Sequence, residues 1–150
     1  MKRQLLLFAL FIISLPAPFL VPGVAAADGT LVTVQVTNVV KPEGVLMVGA
    51  YTSSDTWLGA APAAHKNIPV PENVRDGMVS FEMRLPPGNY ALSILQDLNG
   101  NQKLDTNFLG IPTEPSGSSN DAPARFSAPK FKDALFTVSD EPVTLRITLR

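Results

Sequence analysis

Apolar and polar residues alternate along the stretch Met78–Leu85, which reads MVSFEMRL. From Ser80 to Arg84 the even-numbered residues are polar, whereas the odd-numbered residues of the stretch are apolar. Successive side chains of a β-strand point to opposite faces of its sheet, so this period of two predicts a strand with one buried face. A helix would need apolar residues at every third or fourth position, and the stretch does not have them.

The same alternation recurs along the chain between segments that contain Pro and Gly. It predicts further strands at residues 30–40, Val45–Tyr51, 90–96, 134–138 and 143–149. Three prolines between positions 52 and 71 exclude a long helix there. The segment Lys41-Pro42-Glu43-Gly44 has turn chemistry, and we expect it to join the first two strands as a hairpin.

Six or seven strands without a helix pattern predict an all-β chain. The spacing of the turns favours an antiparallel Greek-key β-sandwich of the immunoglobulin or transthyretin-like kind, with one long loop. That loop spans residues 97–129, where neither strand nor helix periodicity is found. Because it follows the strand at 90–96, we expect it to lie at one end of the sandwich.

The first 27 residues are predicted to be a signal peptide. Lys2 and Arg3 precede a long apolar run, and the small residues Ala25 and Ala27 end it. A charged start, an apolar middle and a small-residue end are typical of a secretory signal. Three prolines interrupt the run, which disfavours a membrane-spanning helix. We therefore expect a single domain of residues 28–150 that is secreted, with the periplasm as its location.

The net charge and the cysteine content limit the classes of partner and the covalent links that we expect. Without residues 1–27, ten Lys and Arg stand against thirteen Asp and Glu, which gives a net charge of −3. An acidic chain offers no general attraction for nucleic acid. The chain has no cysteine, so no disulfide is expected. The remaining expectation is a protein or carbohydrate partner in the cell envelope.

The start of the long loop carries a pattern of cation ligands. Carboxylate and amide side chains stand at alternate positions in the run DLNGNQKLD. A calcium loop collects its oxygens from every second residue, because no single side chain can supply the six to eight that Ca²⁺ takes. Asp97 and Asp105 would be the charged ligands and Asn99 and Asn101 the neutral ones. Lys103 would give its backbone carbonyl.

Two positions depart from a standard calcium loop. Gln102 stands where a glycine is usual, and Phe108 stands where a bidentate glutamate is usual. We expect Glu114 to supply the missing carboxylate, because the prolines around it can fold the loop back toward its start. Leu104 can turn into the core. The alternative is a polar turn scaffold without metal, since Asn99-Gly100 is itself a strong turn signal.

The loop and its flanks resemble a known family. The run from Asp97 to Asn120, the upstream LPPGNYALSILQD and the downstream PKFKDALFTV are similar to domain of unknown function 2141, a family of small secreted bacterial proteins. The family usually has His where this chain has Gln96, and Gly where it has Gln102. The resemblance implies the fold and secretion, and it carries no established activity.

Catalysis is not expected, although one catalytic alternative stays open. His65 is the only histidine and lies outside any nucleophile motif, and a zinc site would need more His or Cys ligands. A carboxylate-dependent hydrolase could use Asp97, Asp105 and Glu114. The leading hypothesis is a secreted, non-catalytic module that binds or supports other components of the envelope.

A third hypothesis, an adhesion or assembly partner, would require an exposed apolar patch. Four aromatic residues near the loops are either plugs of the core under long connections or the lining of a ligand surface: Trp57, Phe108, Phe126 and Phe131.

Overall fold

The computed structural model describes residues 29–124 and 127–150. The strands in these ranges are β1 (Thr30–Thr37), β2 (Val45–Tyr51), β3 (Ala64–Pro69), β4 (Val74–Arg75), β5 (Met78–Leu85), β6 (Gly88–Asp97), β7 (Ser116–Ser118), β8 (Leu135–Val138) and β9 (Val143–Thr148). The helical turns are α1 (Val70–Asn73), a 3-10 turn (Ser119–Asp121) and α2 (Phe131–Ala134). The prediction of a mostly β chain is confirmed. The predicted signal peptide lies outside the described residues.

The strands form two sheets, which we call sheet A and sheet B. Sheet A has the order β4-β5-β1-β9, and sheet B has the order β3-β2-β6-β7. β2 pairs along one side of β6, while β8 and β7 lie one after the other along its opposite side. β6 is therefore the central strand of sheet B.

One core lies between the two sheets. Alternate residues of β1 and β5 point into it from sheet A, and alternate residues of β2 and β6 point into it from sheet B. Its largest fully buried apolar side chains are Leu46, Leu85, Leu92, Ile94, Ile147 and Leu149. Every second side chain of these strands is removed from water, and this burial explains the alternation of apolar and polar residues in the sequence.

The predicted hairpin between the first two strands is wrong. β1 belongs to sheet A and β2 to sheet B, so the segment around Pro42 crosses from one sheet to the other. Gly44 sits in this crossing with φ +75°, and a Cβ there would lie 2.1 Å from the Asp97 carbonyl oxygen. The turn residues were recognised correctly, but the same chemistry serves a hairpin and a crossing.

The expectation of antiparallel pairing is wrong for one strand pair. β1 and β9 are parallel, while the other strand pairs in the described ranges are antiparallel. Parallel neighbours need a long connection, and here the rest of the domain provides it. The first and last strands of the fold therefore lie side by side.

Three strands were missed from the sequence. β4 has only two residues, too few to show an alternation. β3 carries three consecutive exposed polar residues, as an edge strand can, so it lacks alternation. β7 lies inside the stretch predicted to be a structureless loop, and it pairs with β6 from Ser93 to Leu95. Its Gly117 has a close neighbour, since a Cβ would lie 2.9 Å from the Ile147 side chain. The loop therefore ends near residue 115 rather than at 129.

Candidate functional site

The loop between β6 and β7 begins at a buried carboxylate. Asp97 is the last residue of β6 and is only 3 % exposed. Its Oδ1 accepts the Gly100 N–H and its Oδ2 accepts the Gln102 N–H, both at 2.8 Å. Gly100 and Gln102 have positive φ values of 78° and 61°. Asp97 therefore closes a tight turn, and Gln102 takes the backbone conformation for which glycine is usual.

Glu114 closes the loop from its other end. This side chain is 5 % exposed, and its two oxygens accept the N–H groups of Leu98 at 2.8 Å and Asp105 at 3.1 Å. The following carbonyl, of Pro115, accepts the Gln96 N–H at 2.8 Å. The expected return of Glu114 to the start of the loop is therefore observed, with the backbone as its partner.

The Asp105 carboxylate accepts hydrogen bonds from the side chains of Asn99 and Asn101. Its Oδ1 accepts from the Asn101 side-chain amide at 2.9 Å, and its Oδ2 accepts from the Asn99 amide at 2.5 Å. The side-chain oxygens of the asparagines in turn accept backbone N–H groups two residues ahead, from Asn101 at 3.0 Å and Lys103 at 2.8 Å. The alternate spacing seen in the sequence thus builds a chain of side-chain to backbone bonds.

A small hairpin projects from this polar network. Thr106 and Pro112 face each other as a bridge, and the Thr113 N–H donates to the Asp105 carbonyl at 2.8 Å. At the turn, the Asn107 side-chain oxygen accepts the N–H groups of Leu109 at 2.9 Å and Ile111 at 3.0 Å. The backbone of the turn is therefore satisfied by the loop itself.

The hairpin carries large apolar side chains in water. Phe108 is 95 % exposed, Leu109 67 % and Ile111 54 %, and these three residues are called the apolar tip. Leu104, which we expected to turn into the core, is also exposed. From the sequence, only Phe108 of these three stood out, as a departure from a calcium loop and as one of four aromatic residues near the loops, so the apolar tip as a group was missed.

The six predicted metal-ligating residues lie at the end of β6 and in the loop that follows it: Asp97, Asn99, Asn101, Lys103, Asp105 and Glu114. The buried pair, Asp97 and Glu114, each use both oxygens on backbone N–H groups. Lys103 is exposed, as expected for a residue that points its side chain outward. In residues 29–124 and 127–150, no three His, Cys, Asp or Glu side chains are grouped as a metal site.

Gln96 supports the loop from the core side. The sequence did not predict this role. Gln96 is fully buried, and its side-chain nitrogen donates to the carbonyls of Lys41 at 2.7 Å and Glu43 at 2.9 Å. These bonds hold the crossing between β1 and β2 against the end of β6. Among the described residues, none donates a hydrogen bond to its Oε1.

The remaining candidates lie away from the loop. His65 is exposed on β3. Trp57 and Phe131 pack on each other and on small buried residues, so they act as plugs of the core. Phe126 lies outside the described residues, and Phe108 is no plug because it is in water.

The fold and the loop define a class: a small β-rich domain of two open sheets with a self-bonded acidic loop at one end. The chain belongs to the family described as "Uncharacterized protein conserved in bacteria (DUF2141)", whose model matches residues 34–146. The match takes in both sheets and the whole loop, and it confirms the resemblance. Comparisons with curated proteins and with solved structures gave no match.

Helices in the described part of the chain are too short to cross a membrane, since the longest has four residues.

Proposed function

We propose that this protein is a secreted, non-catalytic binding module of the cell envelope. Its acidic loop would be a rigid support that presents the apolar tip to an envelope protein. The observation that carries this proposal is the exposure of Phe108, at 95 %, on a hairpin whose backbone bonds are internally satisfied. This is the exposed apolar patch that the assembly-partner hypothesis requires.

Many polar groups of the loop form hydrogen bonds that hold it in a conformation with exposed apolar side chains. Asp97 and Glu114 fix its base, and Asn107 fixes its turn. A collapsed loop would instead bury Phe108 and gain the free energy of removing its ring from water. A rigid display also lowers the ordering cost of binding, because the loop already has its bound shape.

The same bonds favour a structural role for the carboxylates over the hydrolase alternative. All four oxygens of Asp97 and Glu114 accept backbone N–H groups, and both side chains are buried. A general acid or base has to reach the proton of a substrate. These two carboxylates are turned toward the protein backbone.

Photo-crosslinking in the producing bacterium tests the proposal. A photoreactive phenylalanine analogue at position 108 should form a discrete crosslinked product with an envelope protein. The matched control is position 58, where Leu58 is also an exposed apolar residue but lies in a different connection. Crosslinking of equal strength from both positions, or from neither, would contradict the proposal.

Secretion has its own test. Cell fractionation should place the protein in the periplasm, and N-terminal sequencing of that protein should begin at Asp28. A cytoplasmic protein that begins at Met1 would contradict this part of the proposal.

The finer fold assignment is part of the same proposal: a Greek-key sandwich of the immunoglobulin or transthyretin-like kind. Four pairs of consecutive strands support it, because β1 and β2, β3 and β4, β5 and β6, and β8 and β9 each change sheet. A crystal structure compared with both sandwich types would decide between them.

A cation-organised loop is the second candidate, favoured by the backbone of residues 97–103. Asn99 and Asn101 bond to N–H groups two residues ahead, and Gln102 has a left-handed backbone, as a loop that converges oxygens requires. Thermal melts in EDTA and in millimolar Ca²⁺ test it. A cation site predicts a higher melting temperature in Ca²⁺ that Asp97→Asn abolishes. Identical melts would leave the polar network as the whole explanation.

A further inference from the structure

The β5 edge is the side of β5 that faces away from β1. β1 pairs with β5 over almost its whole length, but β4 pairs only with its first two residues, Met78 and Val79. From position 80 to 85, no described strand pairs with β5 on this side. An unpaired strand edge presents backbone N–H and C=O groups that can pair with another strand.

The even-numbered residues present their backbone groups to the β5 edge. Met78 pairs with Arg75 of β4, and residues two apart in a strand direct their N–H and C=O groups to the same side. The direction of the Glu82 carbonyl agrees, because it accepts from the Lys66 ammonium of β3 at 2.7 Å. Glu82 and Arg84 therefore offer N–H and C=O groups at the β5 edge.

The β5 edge also borders a groove between the two sheets. Lys66 and Ile68 line the groove on the β3 side, and Phe81 and Met83 line it on the β5 side. Phe81 and Met83 have the largest residual exposure within the main core, 8 % and 9 %. A strand added here would complete backbone pairing and also cover apolar surface.

We propose that the β5 edge is a strand-addition site for a second copy of this chain. The two β5 strands pair antiparallel about a two-fold axis at Met83. In this register Glu82 of each copy lies opposite Arg84 of the other copy. The two-fold axis repeats the contact, so the interface contains two such pairs.

Charge selects this register. Glu82 and Arg84 are exposed on the outer face of sheet A. Opposite charges directly across an antiparallel pair are stabilising, whereas like charges are destabilising. The neighbouring register, centred on Glu82, would place the two Glu82 carboxylates against each other.

The position of β4 selects the same register independently. Val74 already lies opposite Val79. In the register centred on Met83, β5 of the second copy ends before it reaches that position. In the register centred on Glu82, Leu85 of the second copy would lie opposite Val79, where Val74 already is.

Lys66 competes with the second copy. Its ammonium occupies the Glu82 carbonyl, which the Arg84 N–H of the second copy would otherwise use. The edge is also short. The dimer is therefore weak and concentration-dependent, and removal of the Lys66 ammonium tightens it.

Sedimentation equilibrium over a protein concentration series tests the proposal. The sample is the protein purified after expression of the full-length chain. Glu82→Arg or Arg84→Glu alone should raise the dimer Kd by about tenfold, because each opposes like charges. The double variant E82R/R84E should restore the wild-type Kd, since the pairs are reversed in place. Lys66→Ala should lower the Kd.

Arg146→Glu is the matched control, because Arg146 is exposed on β9 at the opposite edge of sheet A. It should leave the Kd unchanged. Hydrogen exchange at the amides of Glu82 and Arg84 should slow as the protein concentration rises. A monomer at every concentration, a double variant that stays monomeric, or unchanged exchange at both amides would each overturn the proposal.

Discussion

Two long connections lie at opposite ends of sheet B, and opposite kinds of side chain order them. The connection after Tyr51, residues 52–63, is held by aromatic packing, whereas residues 98–115 are held by carboxylates on backbone N–H groups. Trp57 packs edge-on against Tyr51, with ring centroids 5.3 Å apart, and donates to the Pro129 carbonyl at 2.7 Å. Burial raises the pKa of the Tyr51 phenol, whose OH donates to the Gly59 carbonyl.

The difference concerns what each connection does with its apolar residues. Residues 52–63 use an aromatic side chain to fold. Residues 98–115 are ordered by polar side chains and backbone bonds, so Phe108 and its neighbours stay exposed. A loop whose order does not depend on its apolar residues can expose them without unfolding.

The largest expected effect is at the base of the acidic loop. Asp97→Ala removes two charge-assisted bonds and leaves the N–H groups of Gly100 and Gln102 without their acceptor. We expect a loss of about 3 kcal/mol in the free energy of unfolding, measured by urea denaturation. The matched control is Asp140→Ala, at an exposed residue, which should change it by less than about 0.5 kcal/mol. Equal losses in both variants would show that Asp97 does not hold the loop.

A smaller effect is expected in the aromatic connection. Trp57→Ala removes ring packing and the bond to the Pro129 carbonyl from a half-buried position. We expect a loss of about 2 kcal/mol in the free energy of unfolding. The double variant D97A/W57A should lose the sum of the two single losses, because the two connections share no partner. A clear departure from that sum would mean that the two ends are coupled.

The smallest effect is expected at the apolar tip. Phe108→Ser should change the free energy of unfolding by no more than about 0.5 kcal/mol, because the ring has almost no contact to lose. Urea denaturation of this variant beside Asp97→Ala measures the contrast directly. A destabilisation as large as that of Asp97→Ala would mean that the ring packs on the domain and is not displayed.

The sequence predicts what depends on local pattern. Alternation located β5 correctly, since its even-numbered residues are exposed and its odd-numbered ones buried. The prolines around Glu114 also predicted its return to the start of the loop, because proline restricts the path of the backbone.

The pairing of strands that are distant in the sequence was not predicted. The segment around Pro42 could serve a hairpin or a crossing, and only the position of β6 beside Gly44 decides between them. β3 has no alternation to read, because three of its consecutive residues face water. In the loop, the spacing of Asp and Asn identified the polar network, but spacing alone cannot show that Phe108 points into solvent.

The parallel pairing of β1 with β9 has a consequence for the time course of folding. The Thr37 carbonyl accepts the Leu149 N–H at 3.0 Å, so β1 finds this backbone partner 112 residues further along the sequence (149 − 37). Pairing over such a sequence separation is slow, because most of the chain must first be confined. A chain that emerges from its N-terminus therefore cannot complete sheet A until β9 has emerged. If the chain is exported as we propose, this topology keeps sheet A incomplete until β9 has crossed the membrane.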